Sequence, residues 1–398
     1  MKMVGDFFSF QNGYAFKSKD FVREGKYKIV KIKELKDGLV QFFDDTAEVD
    51  LPDNFDFDKY IIRKGDVLFA LTGDPVNKPN PLSWVGRVAY YNYDEPALLN
   101  QRVCKAIPKT DIPSDFLYYF FRQNREFYRL ASKATGSASQ ANISTKTIEQ
   151  HNINIPDVEN VKKIVTFLKN IDDNILYNNR INRNLSEQAK ALFEEELLKF
   201  DSVPEGWKKG SLSDIADYLN GLAMQKFRSV DNEKGLPVLK IKELRQGSCD
   251  ANSELCSLNI KPEYIIHDGD VIFSWSGSLL VDFWCGGECG LNQHLFKVTS
   301  KKYDKWFYYA WTLYHLDRFI AVAADKATTM GHIKREELSK AEVLIPDSDS
   351  YKRIGEVLGP LYDMIISNRV ENRRLATLRD ELLPMLMSGE MDVSEVEL

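Results

Sequence analysis

The amino-acid sequence predicts an α+β protein built as two globular mixed domains in tandem, each followed by a long α-helix. Three observations carry that prediction. The chain is written twice, the texture within each copy changes once from β-type runs to helical periodicity, and each helical part carries a heptad seam. The expected boundaries are a globule over 1–155, a helix over 156–200, a globule over 201–345, and a helix with its tail over 346–398.

The duplication is legible letter by letter. Lys31-Ile32-Lys33-Glu34-Leu35 returns as Lys240-Ile241-Lys242-Glu243-Leu244, and Gly13-Tyr14-Ala15-Phe16 is echoed by Gly221-Leu222-Ala223-Met224. Gly65-Asp66-Val67-Leu68-Phe69 is echoed by Gly269-Asp270-Val271-Ile272-Phe273, Asn100-Gln101 by Asn292-Gln293, and Ile155-Pro156-Asp157 by Ile345-Pro346-Asp347. A period near half the chain is far longer than the roughly 20 to 50 residues of a solenoid repeat. Two whole domains have been joined.

Within the first globule, Tyr27–Ile32, Val67–Leu71, Arg87–Tyr91 and Arg102–Ile107 read as strands, separated by Gly, Asp, Asn and Pro turns. Phe116–Ala131 and its counterpart Trp306–Val322 read as single helices. Past Pro156 and Pro346 the turn residues stop. Ile164, Leu168, Ile171, Ile175, Asn178, Asn182, Leu185, Ala189 and Leu192 then follow steps of four and three. Ile354, Leu358, Leu361, Ile365, Asn368, Asn372, Leu375, Arg379 and Leu382 do the same. Asp157 and Asp347 are helix starts and Gly389 a helix stop. A helix over 158–200 spans roughly 65 Å at ~1.5 Å per residue. That length disfavours a helix packed only on its own globule, since helices in compact domains average ~11–12 residues. Gly359-Pro360 removes a backbone donor and should bend the second helix, and Pro384 is a second candidate bend near its end.

Composition excludes several classes. The chain has 398 residues, 43% hydrophobic and 28% charged, which is ordinary for soluble protein. It has no secretory signal at its start and no run near the ~18 apolar residues of a membrane span, so a cytoplasmic protein is expected. Five cysteines suit a reducing compartment, and Cys249, Cys256, Cys285 and Cys289 fit no common zinc spacing. Net charge is −6, most of it from residues 346–398, so each globule is near neutral and can still present a basic face.

The order globule, long helix, globule, long helix resembles the specificity subunit of Type I restriction–modification systems over the whole chain. The local matches are Pro204-Glu205-Gly206-Trp207, the Gly269–Ser278 segment, Asn292-Gln293-His294 and the closing Leu382–Glu390. The first domain lacks the Pro-Glu-Gly-Trp opening, so its first strand or turn is expected to be abbreviated. The resemblance implies two target-recognition domains whose helices form an antiparallel coiled coil with pseudo-twofold symmetry. It implies a bipartite, asymmetric double-stranded DNA target, with half-sites on the order of 34 Å apart if one helical turn separates them. Its partners would be two methyltransferase subunits, with or without restriction or translocase subunits. Adenine-N6 methylation after base extrusion would belong to those partners.

The residues agree with that division of labour. Adenine methylation needs an Asn/Asp-Pro-Pro-aromatic loop, and Asp74-Pro75-Val76 and Asn80-Pro81-Leu82 lack the second proline and the aromatic. No Walker-type phosphate loop occurs, and the histidines His151, His267, His294, His315 and His332 form no metal-binding pair. The chain reads as non-catalytic, with no cofactor and no metal. The alternatives are the recognition subunit of a Type IIB-like enzyme, a stand-alone DNA enzyme with a divergent active site, and a scaffold whose globules bind protein.

Candidate DNA contacts follow from exposure and chemistry. Lys31, Lys33, Lys240 and Lys242 lie on a predicted strand, where a merely solvated lysine competes with a phosphate contact. Loops project further. Gly13–Lys19, with Tyr14, Lys17 and Lys19, is matched by Gly221–Arg228, with Gln225, Lys226 and Arg228. Thr135–Asn142, with Gly136, Ser137, Ser139, Gln140 and Asn142, is matched by Thr328–His332, with Thr329, Gly331 and His332, and by the following Lys334. Ser276 and Ser278 complete the small polar set. These suit phosphate oxygens and base edges, against the reading of hydrophilic loops without a ligand. Gln101-Arg102 and Gln293-His294 offer groups of the kind that bind adenine and guanine bidentately. Trp275 and Trp284 read as core rather than stacking platforms. Asn178, Asn182, Asn368 and Asn372 interrupt the two seams at the same places. In an antiparallel pair the four would meet at the centre and fix register, and with it half-site spacing, at some cost in stability.

Overall fold

The computed structural model describes residues 2–50, 57–78, 80–229, 235–325 and 332–393. Its contacts divide the chain into two compact units, Met1–Ile171 with Leu378–Leu398, and Asp172–Thr377. Each unit therefore holds one globule together with parts of both long helices.

In the first unit a six-stranded sheet runs in the order Phe8–Asn12, Val103–Pro108, Val67–Ala70, Val88–Tyr90, Leu39–Val40 and Leu35–Lys36. A five-stranded sheet runs Phe21–Val22, Glu48–Val49, Tyr27–Val30, Ala97–Leu99 and Ile61–Ile62. Val67–Ala70 is an unbroken apolar run and is buried on both faces, as such a run should be. The Gly-Asp turn that feeds it is a structural staple. Asp66 accepts the Arg63 N–H at 2.8 Å and pairs with Lys105 at 3.2 Å, and that ammonium also donates to the Ile61 carbonyl at 2.8 Å. The second unit repeats the device with Asp270, His267, Lys297 and Ile265.

In the second unit one sheet runs Asp217–Asn220, Leu295–Thr299, Val271–Ser274 and Leu280–Phe283, and another runs Leu255–Cys256, Leu236–Leu239, Cys289–Leu291 and Ile265–Ile266. Both units contain the same parallel pair, Leu99 opposite Val30 and Leu291 opposite Leu239. The opening strand is shorter in the first copy, Lys2–Met3 against Lys208–Ser211.

Two expectations about helices are corrected. Phe116–Ala131 is not one helix but two, Ser114–Arg122 and Asn124–Ala131. Gln123 between them is extended, with ψ 124°, and its side-chain amide donates to the Phe120 carbonyl at 3.2 Å. The counterpart likewise splits into Lys305–Tyr314 and Leu316–Asp325. There the ring of His315 bonds the Glu342 carbonyl at 2.8 Å. Apolar periodicity carries through both breaks, which is why it did not reveal them.

The long helices run Val158–Phe193, extended by a π-helical turn over Glu194–Leu198, and Ser348–Ser388. Asp157 accepts the Asn160 N–H at 3.0 Å, Asp347 accepts those of Asp349 and Ser350 at 3.0 Å, and Gly389 closes the second helix at φ 78°. Gly359-Pro360 does not interrupt the second helix. Glu356, whose carbonyl loses its donor, and Pro360 both lie on the exposed side of the helix.

Within the second unit the helices run antiparallel. Asn178 donates to Asn372 at 2.9 Å and Asn368 to Asn182 at 2.9 Å, while Arg353 forks onto Glu196 at 2.8 and 2.9 Å. Partner numbers fall as the first helix advances. The stripe is not reserved for helix pairing: Ile354, Leu358, Tyr362 and Ile365 share one core with Phe193, Phe273, Trp306 and Phe319 of the same unit. A helix packed on its own globule and a paired helix are here the same helix. Two arginines fasten the contact, Arg369 to Asp282 at 2.7 Å and Arg373 to both oxygens of Asp268 at 2.7 Å.

Candidate nucleic-acid interface

The segments singled out in the sequence lie far apart in the chain, and backbone hydrogen bonds gather them in each domain. In the first, Gly13 donates to Val103 at 3.1 Å, Tyr14 to Leu99 at 2.9 Å, and Gln101 back to Tyr14 at 3.0 Å. Asn100 donates to Val30 at 3.1 Å, which ties the turn to the strand before Lys31. Leu71 donates to Arg102 at 2.9 Å, and Ile143 to Leu71 at 3.0 Å, which brings in the hairpin Thr135–Asn142. Four of these six bonds recur in the second domain, through Gly221–Leu295, Leu222–Leu291, Asn292–Leu239 and Ile333–Trp275. A Cβ on Gly13 or Gly221 would lie 2.2 Å from the Asn100 or Asn292 carbonyl oxygen, so only glycine lets these loops meet.

Lys31 and Lys33 are not on a strand. The strand ends at Val30, and Ile32–Glu34 is a helical turn. Glu34 causes it: its carboxylate folds back to accept the Lys31 N–H at 3.0 Å and the Thr46 hydroxyl at 3.3 Å. Burial raises the Glu34 pKa against the opposing pull of that N–H. Lys240 and Lys242 correct likewise, since Ile241–Gln246 is a helix and the buried Glu243 accepts the Ser253 hydroxyl at 3.3 Å. The repeated glutamate is therefore scaffold. Three of the four lysines already face acids of their own domain: Lys33 pairs with Asp45 at 2.7 Å, Lys242 with Asp250 at 3.3 Å, and Lys240 with Glu254. Lys31 lies over the Phe21 ring at 4.2 Å.

Lys17, Lys19, Gln225, Lys226 and Arg228 are exposed on their loops, and Tyr14 is half-buried against Phe16 and Tyr60. Gln101, Arg102, His294 and Ser278 are exposed and Gln293 half-buried, whereas Asn100 and Asn292 of the same motif are buried. The asparagine builds the turn, with Asn292 accepting the His294 N–H at 3.2 Å, and the residues after it are presented outward. Gly136, Ser137, Ser139 and Gln140 are exposed on the hairpin, where Ser137 and Ser139 hydroxyls lie 3.1 Å apart. Asn142 is half-buried and accepts the Thr72 hydroxyl at 2.8 Å. His332 and Lys334 are exposed, and Thr329 and Gly331 lie outside the described residues. Ser276 is a correction: it is buried, paired with His332 through an isolated backbone bridge beyond the end of the strand.

Two groups were missed. Trp284 is core, fully buried, but Trp275 is only half-buried. It lies between His294 and His332, ring centroids 6.2 and 6.3 Å away, and its indole N–H donates to Asn220 at 3.0 Å. The second is Arg87, which lines a shallow cleft with Thr72, Asp74, Ser139 and Gln140. Its guanidinium donates to the carbonyls of Leu82 and Ile32, and burial lowers its pKa. Val88 lies opposite Phe69 as Val281 lies opposite Phe273, so the second domain has Leu280 where the first has Arg87. That difference was readable only once strand pairing fixed the alignment.

Among the described residues no group of three or more His, Cys, Asp or Glu is placed to hold a metal, and no helix is long and apolar enough to cross a membrane.

Comparison with known proteins gives a consistent result. The family model described as Type I restriction modification DNA specificity domain matches residues 1–187 and 204–376. The Type I restriction enzyme MjaIX specificity subunit of Methanocaldococcus jannaschii is 26% identical over 332 residues, 76% of this chain and 74% of that protein. The HindI specificity subunit of Haemophilus influenzae is 19% identical over 413 aligned positions, 84% of this chain and 88% of that protein. The crystal structure of a Type I restriction–modification S subunit from M. genitalium is similar in fold, with TM-score 0.60 at 14% identity over 97% of this chain and 95% of that one.

Proposed function

This chain belongs to the Type I restriction modification DNA specificity family, and we propose that it reads a bipartite, asymmetric DNA target and directs two adenine-N6 methyltransferase subunits, and a restriction subunit where present, to it. It is a specificity subunit without chemistry of its own. One observation supports the assignment to two half-sites: corresponding segments are gathered in both domains, by four backbone bonds that recur, with different exposed side chains. The repeated residues build scaffold, as with Glu34 and Glu243 or Asp66 and Asp270, while the residues beside them vary.

In this reading residues 1–155 and 201–345 are the target-recognition domains, and 156–200 and 346–398 are the helical spacers to which the methyltransferase subunits dock. Asn178, Asn182, Asn368 and Asn372 set the register of the helical pair. Lys33, Lys240 and Lys242 are already paired with acids of their own domains and the net charge is −6, so the chain alone neutralises few phosphates. Tight binding then needs the phosphate contacts of the methyltransferase subunits. The cytoplasm, where chromosomal DNA lies, is the proposed location.

The test is methylome sequencing of a host carrying this chain with a cognate methyltransferase subunit, before and after residues 1–155 are exchanged for another recognition domain. One half of the methylated motif should change and the other persist. Purified chain alone should transfer no methyl group from labelled donor and bind DNA weakly at a stated salt concentration. Changes in both halves, or methyl transfer by the chain alone, would overturn the reading.

A further inference from the structure

Backbone pairing aligns the two domains position by position, and that alignment isolates where they differ. Ile143 donates to the Leu71 carbonyl as Ile333 donates to that of Trp275, so Leu71 is equivalent to Trp275 and Asn142 to His332. Gly13 bonds Val103 as Gly221 bonds Leu295, so Arg102 is equivalent to His294. These three positions adjoin one another in both domains, through Leu71 N–H to the Arg102 carbonyl in the first and through ring contacts in the second. They sit on a common scaffold yet carry Leu, Arg and Asn in one copy and Trp, His and His in the other.

We infer that these three positions discriminate the two half-sites, and that the second domain reads base edges with His294 and His332 flanking Trp275. This rests on the DNA-reading assignment above and names the residues that carry its specificity. The Trp275 indole is held from two sides, by its N–H bond to Asn220 and by stacking on Phe296 at 5.6 Å and 29°. It cannot swing away, so the two exposed imidazoles beside it meet a fixed apolar wall. A neutral imidazole offers one N–H donor and one acceptor nitrogen, a different pattern from guanidinium or amide. In the first domain Arg102 presents the fork that matches guanine O6 and N7. Asn142 is oriented by the Thr72 hydroxyl bonded to its carbonyl oxygen, which leaves its amide N–H groups to act as donors. Apolar Leu71, buried beneath them, leaves the first domain without the aromatic wall. Different donors on one scaffold give different bases at equivalent places in each half-site.

The experiment uses the chain in complex with its methyltransferase subunit, with the methylated motif as readout. His294→Arg with His332→Asn, two exposed positions that leave the core untouched, is compared with the same pair plus Trp275→Leu. Arg102→His with Asn142→His is the reciprocal change. The first two should alter base preference in the second half-site by roughly 5- to 150-fold at one or two base pairs and leave the first half-site intact. The reciprocal pair should do the converse. If the double variant assembles with the methyltransferase and methylates an unaltered motif, the inference falls while the DNA-reading assignment stands. If the unmodified complex methylates no bipartite motif, the assignment itself falls.

Discussion

Replacing Asn182 alone by Leu should destabilise the second unit, and replacing Asn182 and Asn368 together should not. Asn182 is 7% exposed in the helical seam, where its carbonyl oxygen accepts the Asn368 amide at 2.9 Å. Its own amide reaches the Ile365 carbonyl at 3.4 Å. Leu at 182 strips the acceptor from Asn368 and leaves an amide facing hydrocarbon, at about 1–3 kcal/mol for the unsatisfied group. Leu at 368 alone costs a similar amount for the same reason. With both changed no polar group is stranded, and the seam gains apolar contact, so the double variant should be neutral or more stable. For a unit of this size 1 kcal/mol shifts the melting midpoint by roughly 2–4 °C, so each single variant should lose about 2–12 °C. The assay is a double-mutant cycle by calorimetry on the full chain, following the transition of the second unit. A coupling of about 1–3 kcal/mol is expected for contacting residues. Silent single variants, or a double variant equal to their sum, would refute the reasoning. Asn178 and Asn372 are half-buried, with a bond at 2.9 Å, and should show a smaller version of the same coupling.

Gly355→Ala should also destabilise the second unit, because a Cβ there would lie 2.8 Å from Nε1 of the buried Trp306; about 1–3 kcal/mol is expected for overpacking, and a midpoint unchanged from the parent would contradict the close helix contact. Asp268→Asn tests the Arg373 clamp through pH. The guanidinium holds the Asp268 carboxyl below its ordinary value, so its stabilisation is full above the unfolded pKa of about 3.9 and fades as pH falls through the lower folded value. A deficit on the order of 1 kcal/mol at neutral pH should therefore close toward strong acid, and a pH-independent deficit would assign the effect to packing instead.

Much of this molecule was written in the sequence because its signals are local or repeated. The duplication, the switch from β-type runs to heptad periodicity past Pro156 and Pro346, and the caps at Asp157, Asp347 and Gly389 need only neighbouring residues. The strands Val67–Ala70 and Val103–Pro108 fall where alternation and apolar runs put them. Periodicity failed where a side chain from elsewhere or a single backbone angle decides. Gln123 and His315 split helices whose apolar pattern continues through them, and Glu34 turns the repeated Lys-Ile-Lys-Glu-Leu from strand into helix by capping from three residues on. The candidate interface divides along the same line. That Gln101, His294 and the Thr135–Asn142 loop were worth watching followed from chemistry and exposure, but their convergence depends on backbone bonds between segments more than thirty residues apart. Trp275 does pack against the core, as a tryptophan beside a buried strand run usually does; only the tertiary structure, by ending the strand at Ser274 and setting two histidines beside the ring, leaves it half-buried rather than enclosed. Burial is a property of what the rest of the chain covers, and no residue's own letter contains it.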